Sequence, residues 1–295
     1  MPLSENDFLD NACSGDVAET FQNLDQIQDK IESFLGKHLP LCVEHLPVYA
    51  DGSVKRKGEK ILAANLCKRL QAFAYDEKVL FTFFNEDPDI QKKNRTNDMS
   101  IIPFVGTAYL KVGAYYYDCE DQLYIIEVKR LPAPSRVGQG DRSREYVVSD
   151  WDNRSSPTKH RTGGIERFKE GLHGGAFLRS AMVGFVQSKT PDFWLTEVNL
   201  WITDLVSNAI SSHKASWGKD DFLLQVTDTS VTAGLTEFKS KHLRSNGQDH
   251  ISLRHYWLML SFCPKWFNRR QQLRKRHLQR GNKSDSQLHI LRQHQ

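Results

Sequence analysis

Apolar residues recur at intervals of three and four near the start of the chain. Phe21, Leu24, Ile27, Ile31 and Leu35 fall on one face of a helix that Leu39-Pro40 brings to an end. A second stripe, Leu62, Leu66, Leu70 and Phe73, predicts a helix over 59–73. The period then changes. Residues 80–86 form an aromatic-rich run that predicts a strand, a charged turn-rich stretch covers 87–97, and an apolar strand opens at Asp98-Met99. Gly106 to Tyr117 and Gln122 to Lys129 read as two further strands joined by a hairpin loop at 118–121. Residues 131–163 show no period and contain Pro132, Pro134, Gly138 and Gly140, a length of loop that in a compact domain often serves function. A helix over Ile165–Leu172 follows, then a buried-looking strand over Ala181–Val186. A long amphipathic helix comes next, turning Trp194, Val198, Trp201, Ile202 and Leu205 inward as core. Phe222–Val226, Leu235–Lys239 and His250–Ser261 complete the predicted strands. Helices alternating with strands predict an α/β protein, bordering on α+β, with a single mixed central sheet flanked by helices. The pattern divides the chain into an acidic helical segment (1–50), a core domain (51–263) and a tail (264–295).

Composition narrows the setting. With 39% hydrophobic and 11% aromatic residues, the 295-residue chain can bury a sizeable core, which excludes a wholly disordered protein. No apolar run approaches the roughly 20 residues of a membrane-spanning helix, and no basic-then-apolar leader opens the sequence. Five cysteines without a C-x-x-C pair argue against a disulfide framework or structural zinc and for a reducing, cytoplasmic location.

The net charge of +4 is unevenly distributed. Residues 1–40 hold two basic and eight acidic side chains, whereas 264–295 hold nine basic residues against Asp285 alone. The tail, with Arg269, Arg270, Arg274, Lys275 and Arg276, suits a polyanion such as nucleic acid, or is a solvated terminus. The acidic head and the 131–163 loop are candidate surfaces for a protein partner, and a homo-oligomer is a separate expectation.

Several familiar sites are missing. The chain has no P-loop, no G-x-G-x-x-G, no H-E-x-x-H and no G-x-S-x-G. What remains is an acid-x-Lys triplet, Glu127-Val128-Lys129, at the end of a strand apolar on both faces. Two other such triplets, at 76–78 and 237–239, lie in polar surroundings. Alternation places Glu127 and Lys129 on one face, where charges are partly desolvated and must pair or bind metal. The plain alternative is a structural Glu–Lys pair at a sheet end. Asp98 opens its own strand, and two carboxylates at neighbouring strand ends offer oxygen ligands to a hard divalent ion, with the Val128 carbonyl a third. Lys129 beside them would orient or deprotonate a water and balance charge in phosphodiester hydrolysis.

These residues resemble the PD-(D/E)xK, or restriction-endonuclease-like, nuclease superfamily over roughly residues 55–190. The resemblance implies a core of helix, strand, motif strand, E-x-K strand and helix, and a Mg²⁺- or Mn²⁺-dependent endonuclease acting on DNA. It matches Asp98, Glu127 and Lys129 to the motif, and Glu59 to the helical acid of some members. Glu59 shares the helix face of Leu62, Leu66 and Leu70, and also reads as a first-turn acid complementing the helix dipole. Glu86 matches an acid some members carry at the end of the first strand. Arg167 and Lys169 match a helical basic residue that contacts phosphate, or belong to a capped surface helix. His160 and His173 read as surface residues. The chain departs from the family pattern at Asn97, where the family name has proline, and in the long interval from Asp98 to Glu127, which requires an inserted strand. A restriction or bacterial defence role follows only by analogy of fold. A non-catalytic nucleic-acid-binding or assembly protein, and an RNA-directed nuclease, are the other readings.

Overall fold

The computed structural model describes residues 21–43, 58–88, 96–104, 109–133, 142–148, 163–207, 216–226, 234–245 and 249–260. One seven-stranded sheet organises them, in the order β1-β2-β5-β6-β9-β8-β7. Its strands are β1 (Phe81–Pro88), β2 (Thr96–Pro103), β5 (Tyr124–Leu131), β6 (Arg179–Val186), β7 (Leu224–Gln225), β8 (Leu235–Leu243) and β9 (His250–Met259). The three central strands β5, β6 and β9 run parallel to one another, and the outer pairs are antiparallel. Helices α1 (Leu24–Val43) and α2 (Glu59–Asp76) cover one face, α3 (Gly164–Lys169) and α4 (Pro191–Ser207) the other. The fold is therefore mixed α/β around a single sheet. Among the described residues no helix is long and apolar enough to cross a membrane.

Burial on both faces explains the central strands. Every residue of β5 is buried, so its apolar positions serve two cores. Tyr124, Ile126 and Val128 join the α1/α2 side, while Ile125 and Leu131 join the α3/α4 side. Glu127 and Lys129 share that second side by the period of two.

Two expectations change. Pro40 does not end α1, which continues to Val43. Leu39, Pro40 and Cys42 are all buried there, and packing of that turn offsets the lost backbone hydrogen bond. The hairpin expected at 118–121 lies earlier, between β3 (Leu110–Val112) and β4 (Tyr115–Tyr117), which form a separate two-stranded sheet. Gly113 supplies the turn with φ +60°, a conformation that glycine adopts without steric cost. Residues 118–121 form a tight turn of their own, held by the Asp118 and Asp121 carboxylates. The N-terminal helix is bonded to the sheet. Glu32 of α1 accepts from Tyr124 Oη at 3.0 Å and meets Arg179 at 2.7 Å and Arg254 at 3.2 Å, tying α1 to β5, β6 and β9.

A buried polar chain fixes α3. Trp257 Nε1 donates to Tyr146 Oη at 2.8 Å, and that hydroxyl lies 2.9 Å from His255 Nδ1. Ser240 Oγ stands 2.7 Å from His255 Nε2 and 2.6 Å from His242 Nε2. His242 Nδ1 reaches Asp221 Oδ1 at 2.5 Å, and Lys169 Nζ meets the same oxygen at 2.6 Å. Only one assignment of protons satisfies every link with neutral rings. Tyr146 donates to His255 Nδ1, His255 Nε2–H donates to Ser240, Ser240 donates to His242 Nε2, and His242 Nδ1–H donates to Asp221. Burial lowers the pKa of both histidines, which favours those neutral rings. Both ends of the chain grip α3. Lys169 is its last residue, and the carbonyls of Glu145, Tyr146 and Val147 accept from the amides of Gly164, Ile165 and Glu166.

Ser240→Ala removes the middle link and leaves one donor and one acceptor of two buried histidines unpaired. A loss of about 2–4 kcal/mol is expected in urea denaturation. An unchanged midpoint would show that α3 does not depend on the chain.

Candidate active site

Beyond the last residue pair between β2 and β5, Met99 with Ile126, a side chain replaces backbone pairing. Asp98 Oδ2 accepts the Val128 amide proton at 2.8 Å. The two sequence-predicted acids therefore occupy adjoining strand positions, and Lys129 follows one pleat further along β5. Lys129 Nζ lies 2.8 Å from Glu127 Oε1 and 3.4 Å from Glu59 Oε1, so the first turn of α2 also delivers its acid to the site. Asp98, Glu127, Lys129 and Glu59 come together as one electrostatic cluster.

Glu127 has no solvent exposure and is the most heavily compensated group. Arg167 Nη1 meets Oε1 at 2.8 Å, and His173 Nδ1 lies 2.8 Å from Oε2, off the hydrogen-bond axis. Burial would raise its pKa, but Lys129, His173 and Arg167 outweigh that and hold it well below the carboxylate range. Asp98 behaves oppositely. Burial first, and then the neighbouring Glu127 and Glu59 charges against the pull of Lys129, raise it from 3.8 to about 7. Burial pulls Lys129 down, yet the surrounding acids outweigh it and keep Nζ protonated.

α3 reaches this cluster because it begins with Gly164. A Cβ there would come within 2.3 Å of Met182 Cε, 2.9 Å of the Tyr146 carbonyl oxygen and 3.3 Å of Lys129 Cγ. Only glycine lets the helix settle so low over the E-x-K strand. Arg244 secures the following loop, donating to the carbonyls of Gly175 at 2.7 Å and Gly174 at 2.8 Å. His173 is thereby held against Glu127.

The structure corrects one expectation and redefines two others. His173, read as a surface residue, is fully buried, because the turn after α3 folds it back to meet Glu127. Arg167 points inward to a carboxylate in place of a phosphate. Lys169 is also fully buried, since its ammonium completes the Asp221 pair and lies 4.7 Å from the Trp217 ring. That geometry removes it from any surface ligand. The Glu86 side chain, His160 and the tail residues Arg269, Arg270, Arg274, Lys275 and Arg276 lie outside the described residues. The available signal for Arg167 and His173 was the glycine pairs at 163–164 and 174–175 that bracket them.

In donor chemistry the site fits a hard divalent ion, for it concentrates carboxylate oxygens, and Glu59 Oε2 is buried without a hydrogen bond among the described residues. In arrangement, the cations stand between those oxygens. Among the described residues no three His, Cys, Asp or Glu side chains are gathered closely enough to hold a metal.

The raised Asp98 carboxyl has a consequence for stability. The folded chain keeps this proton up to about pH 7, whereas the unfolded chain releases it near 3.8. The contribution of Asp98 to stability therefore declines as pH rises through that window. Asp98→Asn cannot ionise, so its melting temperature should gain on wild type from about pH 4 to about pH 7 and then level off. The gain should be roughly 2–4 °C per kcal/mol recovered. A difference independent of pH would refute the assignment.

No family model, curated protein or solved structure matches the chain.

Proposed function

We propose that the chain is a metal-dependent nuclease that hydrolyses phosphodiester bonds of DNA. The observation that carries this reading is the convergence of Asp98, Glu127 and Lys129 with Glu59 on the parted end of β2 and β5. Apart from the β3-β4 hairpin inserted between β2 and β5, the order α2-β1-β2-β5-α3-β6, with β1, β2 and β5 antiparallel in turn and β5 parallel to β6, accords with the resemblance to the PD-(D/E)xK superfamily.

Asp98 and Glu127, with the Val128 carbonyl, would hold Mg²⁺ or Mn²⁺. Such an ion supplies Lewis acidity at a phosphate oxygen and a water acidified enough to attack. The chain's own residues do the rest. Lys129, kept protonated by the acids around it, balances charge on the phosphoryl oxygens and orients the water. That protonation argues against Lys129 as the base. Arg167, 2.8 Å from Glu127 Oε1, would be a further cation for a phosphate. The basic tail would hold the polyanion by charge.

The test is incubation with plasmid, single-stranded DNA and RNA in Mg²⁺, Mn²⁺ or EDTA. Lys129→Ala and Asp98→Ala should remain folded and lose about a hundredfold or more in cleavage rate. Undiminished cleavage by both variants, or by wild type in EDTA, would overturn the reading. Truncation after residue 263 should weaken nucleic-acid binding, with a deficit that shrinks as salt rises. A deficit indifferent to salt would point to another role for the tail.

A further inference from the structure

We propose that Arg167 is a lock on Glu127 that a nucleic-acid phosphate releases, so that nucleic acid and divalent cation bind this site cooperatively. The inference rests on the nuclease reading and assigns regulation to the same site.

The argument starts from how Glu127 is occupied. Oε1 lies 2.8 Å from both Lys129 Nζ and Arg167 Nη1, and Oε2 lies 2.8 Å from His173 Nδ1. A divalent ion approaching this carboxylate meets three nitrogen-bearing side chains already in place, the Lys129 and Arg167 cations among them. Of the three, Arg167 alone has room to leave: its side chain is 19% exposed, against 5% for Lys129 and 0% for His173. Its departure needs only side-chain rotation, since α3 is held at both ends by the buried polar chain.

Arg167 also has a reason to leave. It meets Glu127 through Nη1, and its buried Nε has no hydrogen-bond partner among the described residues. A guanidinium used at one corner gains when offered a phosphate it can grip by two N–H groups. The exchange removes one positive charge from Oε1. A buried carboxylate that has lost a cation then attracts another. Phosphate thus raises the affinity for the divalent ion, and by linkage the ion raises the affinity for phosphate equally. His173, fully buried beside Oε2, stays behind.

The lock gives a reason for cations to stand between acids that are suitable as ligands. It also gives the resting protein a neutralised carboxylate in place of a bare one.

Mn²⁺ titrations followed by electron paramagnetic resonance test the proposal. Wild type should bind Mn²⁺ about tenfold or more tightly with a short phosphorothioate duplex of the nucleic acid it cleaves than without it. Arg167→Gln should bind Mn²⁺ alone more tightly than wild type does, gain little from the duplex, and cleave poorly. Equal wild-type affinity with and without duplex overturns the lock, and this arm needs no variant to fold. No gain in folded Arg167→Gln overturns it as well. Asp98→Asn separates the two hypotheses. If it abolishes Mn²⁺ binding and wild type cleaves, the nuclease reading survives a failed lock. If wild type neither cleaves nor binds Mn²⁺ in any arm, both fall.

Discussion

Glu127 is an ionised carboxylate placed in the interior of a strand that is buried on both faces. Such a charge is costly by several kcal/mol unless cations meet it with good geometry. Much of the surrounding structure follows from that requirement. Lys129 satisfies it from the same strand, because the pleat returns to the same face after two residues. Arg167 and His173 must come from elsewhere, which sets where α3 and the loop after it lie. Gly164 lets that helix approach, and Arg244 pins that loop. Asp98 bears the opposite consequence. It is buried, and it also stands beside the Glu127 charge, so its own proton is hard to lose.

The polar chain from Trp257 to Lys169 supports this arrangement from behind. It spans β9, β8, the 142–148 turn and α3, elements that are distant in sequence. Each ring nitrogen, hydroxyl and carboxylate in it has a partner, and a single direction of donation runs through to Asp221. Cooperative chains of this kind resist rearrangement more than their separate bonds would suggest. Apolar side chains of similar volume would serve stability as well or better. What they would not supply is a defined position for α3 over Lys129.

The sheet and its flanking helices were legible because they rest on periodicity. The stripe at 62, 66 and 70 and the apolar run from Leu123 to Ile126 both state their burial directly. The candidate site was legible in part because acid-x-Lys in such a strand is a local conflict between charge and burial. Other features depend on contacts between remote segments. The glycine pair after His173 marks a close approach of the chain, but not that the partner is a residue 46 positions earlier. Helical spacing in the six residues of α3 did not separate an exposed Lys169 from one paired with Asp221. The turn at Gly113 was missed because an unbroken aromatic run, Tyr115 to Tyr117, reads as the continuation of one strand.

The two buried polar systems differ in a way that bears on what each is for. In the chain from Trp257 to Lys169 no side-chain nitrogen or oxygen is left without a hydrogen bond among the described residues. In the cluster around Glu127, Glu59 Oε2, Arg167 Nε and His173 Nε2 are all buried and unmatched among those residues. An unmatched buried polar atom costs about 1–3 kcal/mol, and several gathered together are not a device for stability. They are tolerated because the complete system beside them holds the incomplete one in place. The acceptor on Glu59 suits a cation and the donor on Arg167 suits an anion. A phosphodiester with its counter-ion would bring both, so the proposed chemistry, if it is carried by either system, belongs to this cluster and not to the buried chain.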